Sequence, residues 1–309
     1  MMAACSLGSR PLAAQAPEVL AGACVEAGGA ADDCLAGATA GYSFLGHATL
    51  LSGLGSPVPG TASNLGTRAG GGPRWAFFGH LSASSWGLPD LREPLTESAE
   101  WVPSFQGGVA AGLFDGVRLM PTVGGFLATD LFVDVALHLP SSSRGIEGSV
   151  RSFSAGARLG IFREGFTVPG VSVSVARRFF GETTYGDPLA GDVAGVTVDP
   201  SATSIRVAAS KDLFAVEVLA GFGWDDFSAD ARLSTSDGPL APGSAAARGS
   251  ISGSRRLYFA SASMTFSLVL ALTVEGGWAE GLSPVPGYAA EHDPSRGTGF
   301  ASISARLVL

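Results

Sequence analysis

Phe300-Ala301-Ser302-Ile303-Ser304-Ala305-Arg306-Leu307-Val308-Leu309, the last ten residues of the chain, alternate face by face. Ala301, Ile303, Ala305, Leu307 and Leu309 share one face, and Ser302, Ser304 and Arg306 take most of the other. An amphipathic strand of about ten residues is the length that crosses a bilayer at a tilt. The question for the rest of the chain is whether this pattern repeats.

It does, from residue 74 onward. The clearest instance is residues 125–139, where Leu127, Leu131, Val133, Val135, Leu137 and Leu139 occupy one face and Ala128, Asp130, Phe132, Asp134, Ala136 and His138 the other. Similar segments cover residues 74–86, 105–114, 150–162, 170–180, 203–210, 214–225, 256–266, 268–279 and 299–309, which makes ten. Soluble strands average about five or six residues, and most of these are longer. Short links fall at residues 163–169, 211–213 and around 267, whereas residues 87–104, 140–149, 181–202, 226–255 and 280–298 form long polar ones. The link at 115–124 is the exception to that alternation. Within 226–255, Ala229, Ala231 and Leu233 alternate with Asp230, Arg232 and Ser234, so the count is bracketed at eight to twelve strands.

Composition agrees with strands rather than helices as the apolar elements. The chain is 46% hydrophobic and 15% charged, against roughly 25% charged in ordinary soluble proteins. Its mean hydropathy is +0.31. No apolar run approaches the roughly 18 residues of a spanning helix. Apolar residues spread over alternating strands predict an all-β, antiparallel up-and-down transmembrane barrel of about ten strands. A secreted β-sandwich is the competing reading of the same alternation. Trp75, Trp224, Trp278, Phe179 and Phe266 fall near strand ends, where interfacial girdles belong. The net charge is −8 and Lys211 is the only lysine, which argues against nucleic-acid binding.

The stretch from 74 to Leu309 resembles a bacterial outer-membrane β-barrel, and the tail at 300–309 resembles the signal read by the barrel-assembly machinery, although Leu309 stands where that family usually has Phe or Trp. The resemblance implies a bacterial outer-membrane location, with outer-membrane lipid and the assembly machinery as partners. Ser56-Pro57-Val58-Pro59-Gly60-Thr61-Ala62-Ser63 is faintly similar to the start of long-chain fatty-acid transporter barrels.

Three regions are therefore expected. Residues 1–16 end in Pro11-Leu12-Ala13-Ala14-Gln15-Ala16, like a small-residue cleavage site, but lack a basic start, as a truncated signal peptide would. Residues 17–73 are rich in Ala, Gly and Pro; Leu35, Ala38, Tyr42, Leu45 and Thr49 recur at helical spacing, and the segment reads as a periplasmic cap, a plug or a linker. Residues 74–309 form the barrel. Cys24 and Cys34 are candidates for a disulfide in an oxidising compartment, or are two small apolar residues.

If the aliphatic faces meet lipid, parity puts Asp130, Asp134, His138, Arg158, Arg206, Glu217, Glu275 and Arg306 in the lumen. Both signs are present, so these charges either pair to stabilise the barrel or line a selectivity path. About eight strands leave space only for side chains or one small ligand, so a wide pore is not expected. His138, four residues beyond Asp134, is the candidate general base for a rim hydrolase, but at about 3.3 Å per residue the two lie roughly 13 Å apart, too far for a hydrogen bond. The sequence has no Gly-x-Ser-x-Gly elbow, phosphate loop, HExxH or Cys/His metal spacing, so a non-enzymatic protein without cofactor or metal is expected. The leading expectation is restricted passage of a small solute. The alternative is a structural or surface-interaction barrel with a blocked lumen that binds through its long loops. A rim hydrolase comes third.

Overall fold

In the computed structural model, the closing strand pairs with the first strand of the barrel, from Ala76 opposite Val308 to Ser84 opposite Phe300. The structure describes residues 16–68, 71–93, 95–118, 124–141, 145–146, 149–236, 245–266 and 269–309. The strands are β1 (Arg74–Pro89), β2 (Glu97–Phe114), β3 (Thr129–His138), β4 (Val150–Phe162), β5 (Gly170–Phe180), β6 (Thr183–Tyr185), β7 (Ala194–Leu213), β8 (Val216–Thr235), β9 (Ala245–Thr265), β10 (Leu270–Ala279) and β11 (Thr298–Val308). Each barrel strand is antiparallel to its neighbours, β5 pairs directly with β7, and β11 closes on β1, which makes a ring of ten. The three-residue β6 continues the lane of β5 along the same edge of β7, so it is not a separate strand of the ring. The fold is the expected closed, all-antiparallel barrel.

The alternation at 226–255 adds no strand pair. It lengthens β8 and β9, which stay in register up to Thr235 opposite Ala245. Likewise, much of the expected long links at 87–104 and 181–202 is strand, belonging to β1, β2 and β7. The third strand is shorter than expected: it starts at Thr129, because Leu127 takes a φ of 62° and turns the chain out of the extended conformation. The expected signal remnant lies outside the described residues except for Ala16.

The outward face of β8 marks where lipid ends and water begins. Val218, Ala220, Phe222 and Trp224 point outward and are exposed, and the next outward positions are Asp226, Ser228, Asp230, Arg232 and Ser234. β9 changes in step, from Met264, Ala262, Ala260 and Tyr258 to Arg256, Ser254 and Ser252. Arg256 lies over the Trp224 ring, its Cζ 5.8 Å from the centroid, at the junction. The nine residues from Val216 to Trp224 match the about 9–11 of a tilted membrane-spanning strand. Exposed aliphatic side chains in this number would be untenable in water but are at home against lipid tails. Strands therefore continue past the belt as a polar-faced collar.

The two barrel ends differ. One carries the two-residue turn 214–215, the links 163–169 and 266–269, both termini of the sheet and, as an exception in length, the link 115–128; the other carries the links at 90–96, 139–149, 181–193, 236–244 and 280–297. Short turns mark the periplasmic end and long loops the extracellular end. The collar is thus extracellular.

Residues 16–66 fold inward. Helix α1 (Pro17–Glu26) and helix α2 (Ala31–Leu51) form a hairpin, and residues 52–66 continue as an irregular thread of turns and bends. Cys24 and Cys34 are joined in a disulfide across the hairpin's turn. In α2, 16 of 21 residues are buried, with an unbroken run from Ala36 to Gly46. A helix buried all round has no apolar stripe, and here it must also fit a bore of ten strands. Small residues make that fit: a Cβ on Gly41 would come within 2.9 Å of Val196, and one on Gly46 within 2.7 Å of Leu282.

Candidate functional site

The chain descends the lumen from the extracellular end. The disulfide-linked turn lies beside Thr235 at the top of β8, Gly37 beside Leu233, and Gly41 beside Val196 and Ile251. Lower down, Gly53 meets Arg178, Gly55 meets Glu275 and Gly60 meets Ser263 and Thr273. At the bottom Gly66 reaches Asp115, where Thr67 N–H donates to Asp115 at 3.0 Å. Gly55 and Gly60 have φ of 56° and 78°, conformations that L side chains rarely adopt, and each is also pressed against the wall.

The wall holds this thread by its backbone. Arg158, only 1% exposed, donates to Thr61 O at 2.9 Å and Ser63 O at 3.0 Å, and it pairs with Asp130 at 2.7 Å. Asp130 in turn accepts from Leu65 N–H at 3.1 and 3.2 Å. Arg206 donates to Gly53 O at 2.6 Å and pairs with Asp225 at 2.8 Å. Glu275 faces Ser56 N–H at 3.4 Å, and Ser210 accepts from Ala62 N–H at 3.0 Å. An irregular segment inside a barrel has no neighbouring strand to satisfy its amides, so charged wall groups take that role.

The remaining inward residues fit the same picture. Asp134 binds Gln106 at 2.8 Å and Ser154. His138 is fully buried between two hydroxyls, with Nε2 2.6 Å from Ser52 Oγ of the plug and Nδ1 2.7 Å from Ser104 Oγ. It has no carboxylate on either nitrogen, so it ties α2 to the wall and is not arranged as a general base. Glu217 is half-buried beside Thr61 and Ser210. Arg306 is buried at the periplasmic end of β11, with Nε and Nη1 making no hydrogen bond among the described residues.

Sequence reading passed over Arg178, Asp225 and Arg255, all buried in the lumen. Asp225 sits between Arg206 and Arg255, at 2.8 and 3.9 Å, and Ser204 bonds both Asp225 and Arg178. Parity was the available signal: Asp225 shares its face with Glu217, and Arg178 with Ser172 and Ser174. Arg255 fell just outside the expected start of its strand. Among the described residues, no group of three or more His, Cys, Asp or Glu side chains could hold a metal ion.

No family's sequence model matches the chain, and no curated protein matches it. Solved structures similar in fold include the outer-membrane protease OmpT of Escherichia coli (9% identity, 77% of this chain and 96% of that one, TM-score 0.37). The translocator domain of the autotransporter NalP of Neisseria meningitidis is similar at 12% identity over 78% of this chain and 89% of that one, TM-score 0.40. Ail, the attachment invasion locus protein of Yersinia pestis, is similar at 10% identity over 77% and 97%, TM-score 0.31. Their activities differ, and none of them carries over to this chain. By its closed antiparallel ring, apolar belt and unequal ends, this chain has the fold of an outer-membrane β-barrel.

Proposed function

We propose that this outer-membrane barrel is closed at rest by its own N-terminal segment and works through its extracellular face. The observation that carries this reading is the filled lumen: α2 is buried all round, and the thread below it is bonded to Arg158, Asp130 and Arg206. The collar above the belt supplies the working surface, with Asp199, Asp226, Asp230 and Arg232 exposed on its outer face. A second reading, restricted passage of a small solute, requires the thread to leave the lumen. It is favoured by the attachment of residues 52–66, which is largely polar and therefore exchangeable for water.

Planar-bilayer recording of the refolded protein tests both. A silent membrane, with folding verified by a heat-dependent mobility shift, supports the closed barrel. Steady conductance in the unmodified protein would overturn it, and brief openings made more frequent by Arg158→Ala would favour regulated passage.

A further inference from the structure

Two histidines outside the plug reach serine hydroxyls on it, and their second nitrogens differ. Where His138 has a hydroxyl on each side, His292, in the link between β10 and β11, has Ser43 Oγ of α2 at 2.8 Å from Nε2 and Glu97 Oε1 of β2 at 3.9 Å from Nδ1. The other oxygen of Glu97 is held by Arg296 at 3.2 Å. Ser43 and His292 are 1% and 4% exposed. Gly87 makes room for this line-up, since a Cβ there would collide with Glu97 Oε1.

All three side chains line one cavity of about 260 Å³, together with His47, Arg255 and Trp278. We infer that Ser43, His292 and Glu97 form a hydrolytic triad in the extracellular mouth, acting on carboxylic esters that enter from the outer membrane leaflet. The inference goes beyond a closed barrel and stands whether or not the lumen conducts.

Three features fit the chemistry. Glu97 Oε1, 3.9 Å from Nδ1, is beyond hydrogen-bond reach, and Nδ1 makes no hydrogen bond among the described residues; the carboxylate acts here by its charge, which favours a proton on Nδ1 and leaves Nε2 to accept from the serine hydroxyl. Burial, opposed by Asp293 and reinforced by Arg296, pushes His292 down to about 4, so the ring is neutral at pH 7 and Nε2 is free to accept. Arg255, paired with Asp225 at 3.9 Å and donating to Gly46 O and Thr49 Oγ1, also lines the cavity and puts a guanidinium beside the place where an oxyanion would form. Location points to the substrate. Trp278 is exposed in the outward row opposite Tyr258, at the upper edge of the belt, so the cavity abuts the lipid interface. Its volume lies below the roughly 300–1,000 Å³ of pockets for drug-sized ligands, which suits an ester group with a short acyl stem.

The reaction has two halves. Ser43 Oγ attacks the ester carbonyl carbon while its proton passes to His292 Nε2; the carbon–oxygen bond to the alcohol breaks, and the alcohol leaves with that proton. Water then attacks the acyl-serine, gives a proton to His292, and the carboxylic acid departs as Ser43 recovers its hydrogen.

The test uses the full chain folded in detergent micelles, a fluorophosphonate probe with the labelled peptide mapped by mass spectrometry, and p-nitrophenyl butyrate as substrate. Labelling at Ser43 is expected, with kcat/KM falling on the order of 10²-fold or more in Ser43→Ala and His292→Gln. Glu97→Gln keeps nucleophile and base and is expected to slow labelling at Ser43 while moving the alkaline-to-acid profile of kcat/KM. Each variant is first shown to fold by its heat-dependent mobility. Folded wild-type protein that leaves Ser43 unlabelled, or a folded Ser43→Ala that hydrolyses the ester as fast as wild type, would overturn the inference.

Discussion

Removing the Arg158 guanidinium should loosen the thread more than any other single truncation in the wall. The side chain is buried, its charge is matched by Asp130, and it also bonds the carbonyls of Thr61 and Ser63. Arg158→Ala leaves Asp130 as an uncompensated buried carboxylate and two backbone carbonyls without their donor. Breaking a buried ion pair from one side costs about 3–5 kcal/mol. Most of that loss falls on the seated state of the thread, because Asp130 also carries the Leu65 amide. At about 1.4 kcal/mol per tenfold, amide exchange across residues 57–66 should accelerate on the order of 10²- to 10³-fold. Hydrogen–deuterium exchange with mass spectrometry on the folded barrel reads this directly. The double variant Arg158→Met, Asp130→Asn removes both charges together and should recover much of the protection. If Arg158→Ala left exchange in 57–66 unchanged in a folded barrel, the thread would not be held by its wall contacts.

Other expectations follow from the belt, the disulfide and the mouth. Ala220→Arg, in the middle of the lipid face, should destabilise the barrel by about 2–4 kcal/mol in urea titrations in liposomes, whereas Asp226→Arg, above the Trp224 level, should change the midpoint little. Equal effects would mean that the belt does not end at Trp224. Replacing both Cys24 and Cys34 by Ser should cost the helical hairpin about 3 kcal/mol from loop closure, seen as faster exchange in residues 17–51 with the barrel's mobility shift intact. Finally, the fold holds His292 neutral and lowers it to about 4, against about 6.5 in an unfolded chain, so its contribution is complete above pH 6.5 and is lost as pH falls toward 4. At pH 5 the 282–297 link should be weaker by about 2 kcal/mol, giving faster trypsin cleavage at Arg296 than at pH 7.5 when each rate is divided by that of an unstructured arginine peptide at the same pH, and His292→Gln should flatten that difference.

The barrel was legible in the sequence because its two solvents, lipid outside and a polar lumen inside, impose a period of two on every strand. The face carrying Asp130 and Asp134 opposite Leu131 and Val133 keeps the same parity in the structure, and so do Arg158, Arg206 and Arg306 on their own strands. Strand lengths were harder to read. Once β7, β8 and β9 rise above the belt, water replaces lipid outside, and the outward Asp199, Asp226 and Asp230 look like loop residues although the ladder continues beneath them.

Residues 17–66 show what one-dimensional pattern could not decide. A helix enclosed on every side has no amphipathic stripe, and the Ala and Gly that let α2 pass Val196 and Leu282 have the composition of a linker. The sequence by itself determined the amphipathic strands, their number to within eight to twelve, and which charges share the face opposite the aliphatic one, since each follows from local alternation. Only the tertiary structure decided that Arg158 and Asp130 grip a backbone from the same chain, that His138 meets Ser52, and that Ser43, His292 and Glu97 converge. Those partners lie up to 249 positions apart, and only closure of the ring around the plug brings them within reach.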